Sequence, residues 1–344
     1  MQTQKGGTVM SFLWAVFKGI FSVTFVQKAI TQGIPMLFGA TGEIITEKSG
    51  NLNLGIPGIM YMGAIGGLSG AFLYEKSTDS PVGILGILFA LIFCLAFSLI
   101  GALIYSILTI SLRANQNVTG LALTTFGVGF GNFLGGSFSK ITGTAGQITV
   151  YTTGQAFRTK IPFLSDHLGI VGSIFFSYGF LTYLAVIIAL FASWFLVKTR
   201  AGLNLRAVGE NPAAADAASI NVTRYKYAAT CIGGMISGLG GLYFVMEYLG
   251  GTWQNNGFGD RGWLAVALVI FALWKPARAI WGSILFGGLY IMFAYVPLSQ
   301  SMQEIFKMLP YAVTILVLII SSLKKKKEDQ PPASLGLPYF REER

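Results

Sequence analysis

Nine stretches of the chain, near 24–42, 53–74, 82–111, 119–138, 175–198, 226–249, 262–278, 279–298 and 304–323, are apolar over lengths comparable to the roughly 20 residues that a helix needs to cross a bilayer. Lipid offers no partner to backbone N–H and C=O groups, so such runs are confined to helices that satisfy their own hydrogen bonds. Only 11% of the 344 residues are charged and the mean hydropathy is +0.64. Soluble domains carry about 25% charged residues, which excludes a water-soluble fold. The expectation is an all-α, polytopic integral membrane helix bundle of nine or ten transmembrane helices. The number depends on whether residues 1–23 lie in the interface or form a first transmembrane segment. Residues 24–323 form the transmembrane domain and 324–344 a cytoplasmic basic tail. The apolar stretch from Phe12 to Val26 is interrupted by Lys18 and lacks a small-residue cleavage site, so it is not read as a removable signal peptide.

The net charge of +10 does not point to nucleic acid. Its Lys and Arg residues gather in a few connections and in the run Lys324-Lys325-Lys326-Lys327, the distribution of topogenic charge. Positive charge places Arg113, the 199–225 connection, the Lys275–Arg278 connector and the tail on the cytoplasmic side. The 74–81 and 139–173 connections then fall outside. Cys94 and Cys231 each stand alone in apolar sequence, where a thiol acts as a small hydrophobe.

Glycine serves two purposes here. Gly234 and Gly238 fit close helix packing. Gly42-Glu43, Ser49-Gly50-Asn51-Leu52-Asn53-Leu54-Gly55 and Pro57-Gly58 instead interrupt apolar sequence, and broken helices at membrane depth survive where the backbone is buried in protein or lines a watery path. A polar cytoplasmic turn is the alternative. A second Gly-rich helix start, Gly257 to Gly262, hints at a possible two-half internal repeat.

No phosphate-binding Gly-rich loop, metal-spaced His/Cys cluster or nucleophile elbow is present, so the chain has no catalytic residue, no metal site and no cofactor of its own. His167 reads as a surface residue, and the sequons at Asn117 and Asn221 fall on the cytoplasmic side. Glu43 and Glu247 lie near opposite helix ends, neither placed as a midplane carrier of protons or sodium. Energy for uphill transport therefore enters through a partner, with an ion-coupled secondary transporter as the alternative.

In the 199–225 connection Asn211 is a good N-cap, Pro212 suits the first helical position, and Ala213, Ala214, Ala215 and Asp216 favour a short helix that Asn221 can end. Small side chains suit it to a groove in another protein. Gly209-Glu210-Asn211-Pro212-Ala213-Ala214-Ala215-Asp216 resembles the ATPase-coupling loop of ABC importer permeases in the superfamily serving ribose, other simple sugars, branched-chain amino acids and nucleosides. Residues Gly42 to Gly58 are similar to the early signature of the nucleoside and simple-sugar branch. Pro57 stands where that branch usually has an acidic residue, a departure that bears on the branch and not on the superfamily. The resemblance spans roughly residues 24–323. It implies a homologous second permease, a cytoplasmic ATPase with two nucleotide-binding modules that uses ATP and Mg, an exterior solute-binding lipoprotein, and a multi-pass place in a bacterial cell membrane. Moving ATPase modules would shift the docking helix and open the path to alternate sides.

Spans nearly free of charge disfavour ionic cargo. Glu43, Asn51, Asn53, Thr124, Thr125 and Asn132 are the candidate pathway residues, offering amides, hydroxyls and a carboxyl to a neutral solute. Each could equally satisfy a neighbouring helix backbone. Phe126, Phe130 and Phe133 could stack on a base or face lipid. The family likeness favours nucleosides, with a ribose-type sugar as the alternative.

Overall fold

The computed structural model describes residues 22–141, 148–160, 169–295, 300–324 and 329–341. Residues 1–21, His167 and Lys325 to Lys327 lie outside the described residues. The chain forms α1 Val23–Glu47, α2 Ile56–Lys76, α3 Gly83–Ser106, α4 Gln116–Ile141, α5 Tyr151–Phe157, α6 Gly169–Phe175, α7 Phe180–Lys198, α8 Arg200–Glu210, α9 Pro212–Ala217, α10 Val222–Tyr243, α11 Arg261–Phe271, α12 Pro276–Tyr295, α13 Gln300–Lys307 and α14 Leu309–Lys324. One π-helical turn extends α3 through Ser111 and another extends α10 through Tyr248. A single bridge, Thr149 to Thr252, is the β pairing found among the described residues.

Among the described residues, six helices are long and apolar enough to cross a membrane, α2, α3, α4, α7, α10 and α12, so the expected nine or ten are not reached by length and composition there. The chain is a multi-pass membrane protein. The run at 24–42 does become a helix of 25 residues, α1, which is long enough but has no stretch apolar enough to count among these six. The run at 262–278 yields only the 11 residues of α11, about 16 Å of helix against about 30 Å of hydrocarbon. It stops because Leu273 and Trp274 adopt φ of 53° and 54°. The run at 304–323 divides into α13 and α14.

The centre of the bundle is α1, α2 and α10. Every residue of α1 from Gln32 to Glu47 is buried, as are 89% of the apolar window of α2 and 78% of that of α10, against 28% for α3. Glycine permits this density. A Cβ on Gly63 of α2 would stand 2.6 Å from the Cα of Gly238 in α10, and one on Gly234 would stand 2.6 Å from the Cβ of Ala102 in α3. The expected packing role of Gly234 and Gly238 is thus met.

Basic segments expected to share one side do share one end of the bundle. Arg113 stacks over the Phe340 ring at 4.5 Å, Lys275 and Arg278 pair with Asp329, and Arg341 pairs with Asp216. At the other end, the 74–81 and 139–173 connections meet where the Thr153 N–H donates to Glu75. The Gly-rich start of α11 packs on the start of α2, with a Cβ on Gly262 falling 2.7 Å from the Cα of Pro57. That contact does not by itself make a two-half repeat.

Replacing Gly63 by Leu should overpack the α2–α10 contact and cost about 1–3 kcal/mol. Thermal unfolding of the detergent-purified chain should show the loss, whereas Leu at Gly129, which has open space around its Cα, should leave the midpoint near wild type.

Candidate functional site

Between α1 and α2 the chain leaves helical geometry over residues 48–55, and side chains from the surrounding elements take up the backbone groups this frees. Glu43, in the last turns of α1, accepts the Asn53 N–H through Oε1 at 2.8 Å. Gln116 Oε1, at the start of α4, accepts the Leu52 N–H at 2.7 Å. The Tyr105 hydroxyl of α3 donates to the Leu52 carbonyl, and the Thr124 hydroxyl of α4 donates to that of Leu54 at 2.8 Å. Asn53 Oδ1 accepts the Gly55 N–H at 2.9 Å. This turn prepares α2, whose N-cap Gly55 has no capping side chain and whose first turn holds Pro57. Asn51 reaches across to α10, its Nδ2 donating to Thr230 Oγ1 at 3.2 Å. Gly50 turns the chain with φ of 84°, a conformation open to glycine at little cost.

Four of the six candidate pathway residues, Glu43, Asn51, Asn53 and Thr124, therefore meet at this break. Glu43 Oε2, Asn51 Oδ1 and Asn53 Nδ2 are buried there without a hydrogen-bond partner in the protein. Buried polar atoms normally have partners, so such a cluster indicates that a solute or solvent group belongs beside it. Thr125 and Asn132 are not part of it. Thr125 donates to the Leu121 carbonyl of its own helix, and Asn132 pairs through its amide with Asn256, at 2.8 Å to the side chain and 3.1 Å from the backbone N–H. Phe126 and Phe133 are exposed on α4, with Phe130 stacked on Phe126.

Sequence reasoning passed over Tyr105, Gln116 and Thr230, which hold the break, and three further buried groups. Glu47 lies one turn beyond Glu43 and accepts a hydrogen bond from the Trp274 indole. Arg261 is buried between the rings of Phe244, Tyr248 and Tyr290 and donates to Gln32 Oε1 at 2.9 Å and the Phe258 carbonyl at 2.8 Å. Lys226 is buried at the start of α10. The charge in the bundle is thus larger than the sequence suggested. Glu47 and Arg261 were both visible inside the Gly-rich motifs.

The 199–225 segment folds as two helices. Thr199 caps α8, accepting the Gly202 N–H at 3.0 Å, and Asn211 caps α9 as expected, accepting the Ala214 N–H at 3.0 Å with Pro212 in the first turn. The second helix ends earlier than expected, at Ala217, because Ser219 takes φ of 65°. Asn221 does not stop it but caps α10, accepting the Arg224 N–H at 2.9 Å. Ala215 packs inward on Val208 and Val222, while Glu210, Ala213, Ala214, Ala217 and Ala218 form a smooth exposed surface. Gly209, at the end of α8, lies directly on the break: a Cβ there would stand 3.0 Å from the Lys48 carbonyl carbon and 3.2 Å from the Gly50 nitrogen. The surface that can receive a partner is therefore one residue layer from the polar cluster.

The family described as branched-chain amino acid transport system / permease component matches residues 25–318. The nucleoside ABC transporter permease protein NupC of Lactococcus lactis subsp. cremoris is 32% identical over 303 residues, covering 86% of this chain and 91% of that protein. The guanosine ABC transporter permease protein NupQ of Bacillus subtilis is 30% identical over 326 residues, 93% of this chain and 97% of that protein. TsgC13 of Haloferax volcanii, an ABC transporter permease whose name assigns it provisionally to glucose, is 33% identical over 274 residues, 78% of this chain and 76% of that protein.

Changing Glu43 to Ala should orphan the buried Asn53 N–H and lower stability by about 1–3 kcal/mol. Thr125→Val, which removes a hydroxyl bonded only within its own helix turn, should stay within about 0.5 kcal/mol of wild type. Thermal unfolding of the two purified variants in the same detergent checks the contrast.

Proposed function

The chain belongs to the branched-chain amino acid transport system permease family, and from that premise we propose that it is the membrane-spanning permease subunit of an ABC importer that carries nucleosides across a bacterial cytoplasmic membrane. The observation that carries this reading is the seating of Gly209 on Lys48 and Gly50. It joins a partner-facing surface to a helix break whose buried amide and carboxyl oxygens lack protein partners. A push on α9 would be delivered to the place where polar groups can meet a neutral solute. In this reading Ala213 and Ala214 meet an ATPase with two nucleotide-binding modules, where ATP and Mg are used. A homologous second permease completes the membrane pathway and an exterior lipoprotein delivers the solute. The subunit itself is not an enzyme. Burial of α1 and the contact of Gly262 with Pro57 support α1 and α11 as membrane-embedded elements beside the six long spans. Asn51, Asn53, Glu43 and Thr124 line the route, with Thr125 and Asn132 farther along α4.

Uptake of labelled guanosine, uridine and ribose in cells with and without this gene, and with and without the partner ATPase, tests the function. Nucleoside uptake that requires both supports it. Uptake of ribose alone would move the assignment to sugars, and uptake that survives loss of the ATPase would move it to an ion-coupled carrier.

The exposed position of Ala214 gives a second expectation. Ala214→Trp should remain in the membrane, lose co-purification of the ATPase and abolish uptake, whereas Ala215→Trp, at a packed site, should lower the yield of folded protein. Undiminished ATPase binding by Ala214→Trp would remove α9 from the docking surface.

A further inference from the structure

The sequence marks the C-terminus as a basic tail, yet residues 329–341 are laid in an ordered course across the same end of the bundle as the coupling segment. The first anchor is Asp329, which accepts from Lys275 Nζ, just before α12, at 2.7 Å and from Arg278, in the first turn of α12, at 3.0 Å. The hydrogen bond from Lys275 holds the Asp329 carboxyl below the usual carboxylate range, so this anchor is charged at neutral pH. The second anchor is Ser334, whose N–H and hydroxyl both donate to the Gly209 carbonyl, at 3.0 and 2.6 Å. Two residues on, the Gly336 N–H donates to the Gly50 carbonyl at 3.2 Å, with Gly336 at φ of 80°. The last anchors hold α9: the Tyr339 hydroxyl donates to Asp216 Oδ2 at 2.9 Å, and Arg341 Nε pairs with the same oxygen at 3.2 Å. Phe340 lies under the Arg113 guanidinium. Leu335 packs on the main core, and Pro338 and Tyr339 roof a small cavity of about 20 Å³ lined by Asn51, Gln116 and Lys226.

Gly209 and Gly50 touch by packing, and the hydrogen-bonded connection between them runs through Ser334 and Gly336. Asp216 is turned toward Tyr339 and Arg341, which fixes α9 while leaving Ala213, Ala214 and Ala217 exposed. We propose that residues 329–341 are a strap belonging to the coupling apparatus: they tie the coupling helix to the break at Gly50 and cover the path beside Asn51, so that movement of α9 is passed to the break. Ser334 and Tyr339 are its positioning residues. This inference rests on the importer reading for its role, but the docking of the strap can be measured apart from transport.

Two variants test it, the double substitution Ser334→Ala with Tyr339→Phe and a chain ended after Glu328. Hydrogen–deuterium exchange of residues 332–339 in the purified full chain should be slow. It should become about tenfold faster in the double variant, as local opening becomes easier. In the assembled transporter both variants should still co-purify with the ATPase and hydrolyse ATP, while nucleoside moved per ATP falls about fivefold or more, the size of a typical coupling between sites. A structural role alone would lower yield and leave that ratio unchanged. Fast exchange of 332–339 in the wild-type chain, or an unchanged ratio in the double variant, would overturn the strap. A wild-type complex that binds no ATPase would overturn the importer reading instead, and the exchange of 332–339 would still decide whether the strap is docked.

Discussion

The structure depends on satisfying a backbone that leaves helical form inside an apolar bundle. In lipid or protein interior each free N–H or C=O is costly, so a break is stable only where side chains meet it. At 48–55 those side chains are Glu43 from α1, Tyr105 from α3, and Gln116 and Thr124 from α4, while Thr230 from α10 holds the Asn51 side chain. Each helix must stand at a fixed distance from the break to reach it. The positions of α1 to α4 and of α10 follow from that requirement as much as from apolar packing.

Glycine makes those distances attainable. The contact of Gly63 with Gly238, and of Gly209 with Lys48 and Gly50, bring backbones closer than any side chain would allow. Close backbones leave little room for independent motion, so a displacement at one element is shared by its neighbour. The same property that packs α2 on α10 therefore suits Gly209 to carry movement from α8 and α9 into the break.

Features governed by short-range rules were legible in the sequence: the Gly-rich break, the small-residue packing of Gly234 and Gly238, the Asn211 cap with Pro212 behind it, and the grouping of basic segments at one end. What could not be read depends on partners far along the chain. Tyr105 meets Leu52 across 53 positions, Asn51 meets Thr230 across 179, and Trp274 meets Glu47 across 227. No local pattern marks them. The shortness of α11 was hidden for a different reason: Leu273 and Trp274 take positive φ, where sequence rules expect Gly or Asn. In the tail the run of lysines drew attention to charge, while the residues that dock it, Asp329, Ser334 and Tyr339, are single and unremarked. Within the candidate path, Thr125 and Asn132 share α4 with Thr124, but only Thr124 faces the break.

The disposition of buried charge bears on what such a break could accept. Arg261 is surrounded by three aromatic faces, Gln32 and the Phe258 carbonyl. Its role is thereby tied to holding the Gly-rich start of α11. Glu47 is engaged by Trp274, and Glu43 gives one oxygen to the Asn53 N–H. The polar atoms at the break that remain without a protein partner are then a carboxyl oxygen, an amide oxygen and an amide N–H group. That set can both accept and donate, which suits hydroxyl and amide groups, and the buried Lys226 lines the small cavity beside Asn51. Hydroxyl and amide groups are common to sugars and nucleosides, so the choice between base and sugar rests on the relatives alone.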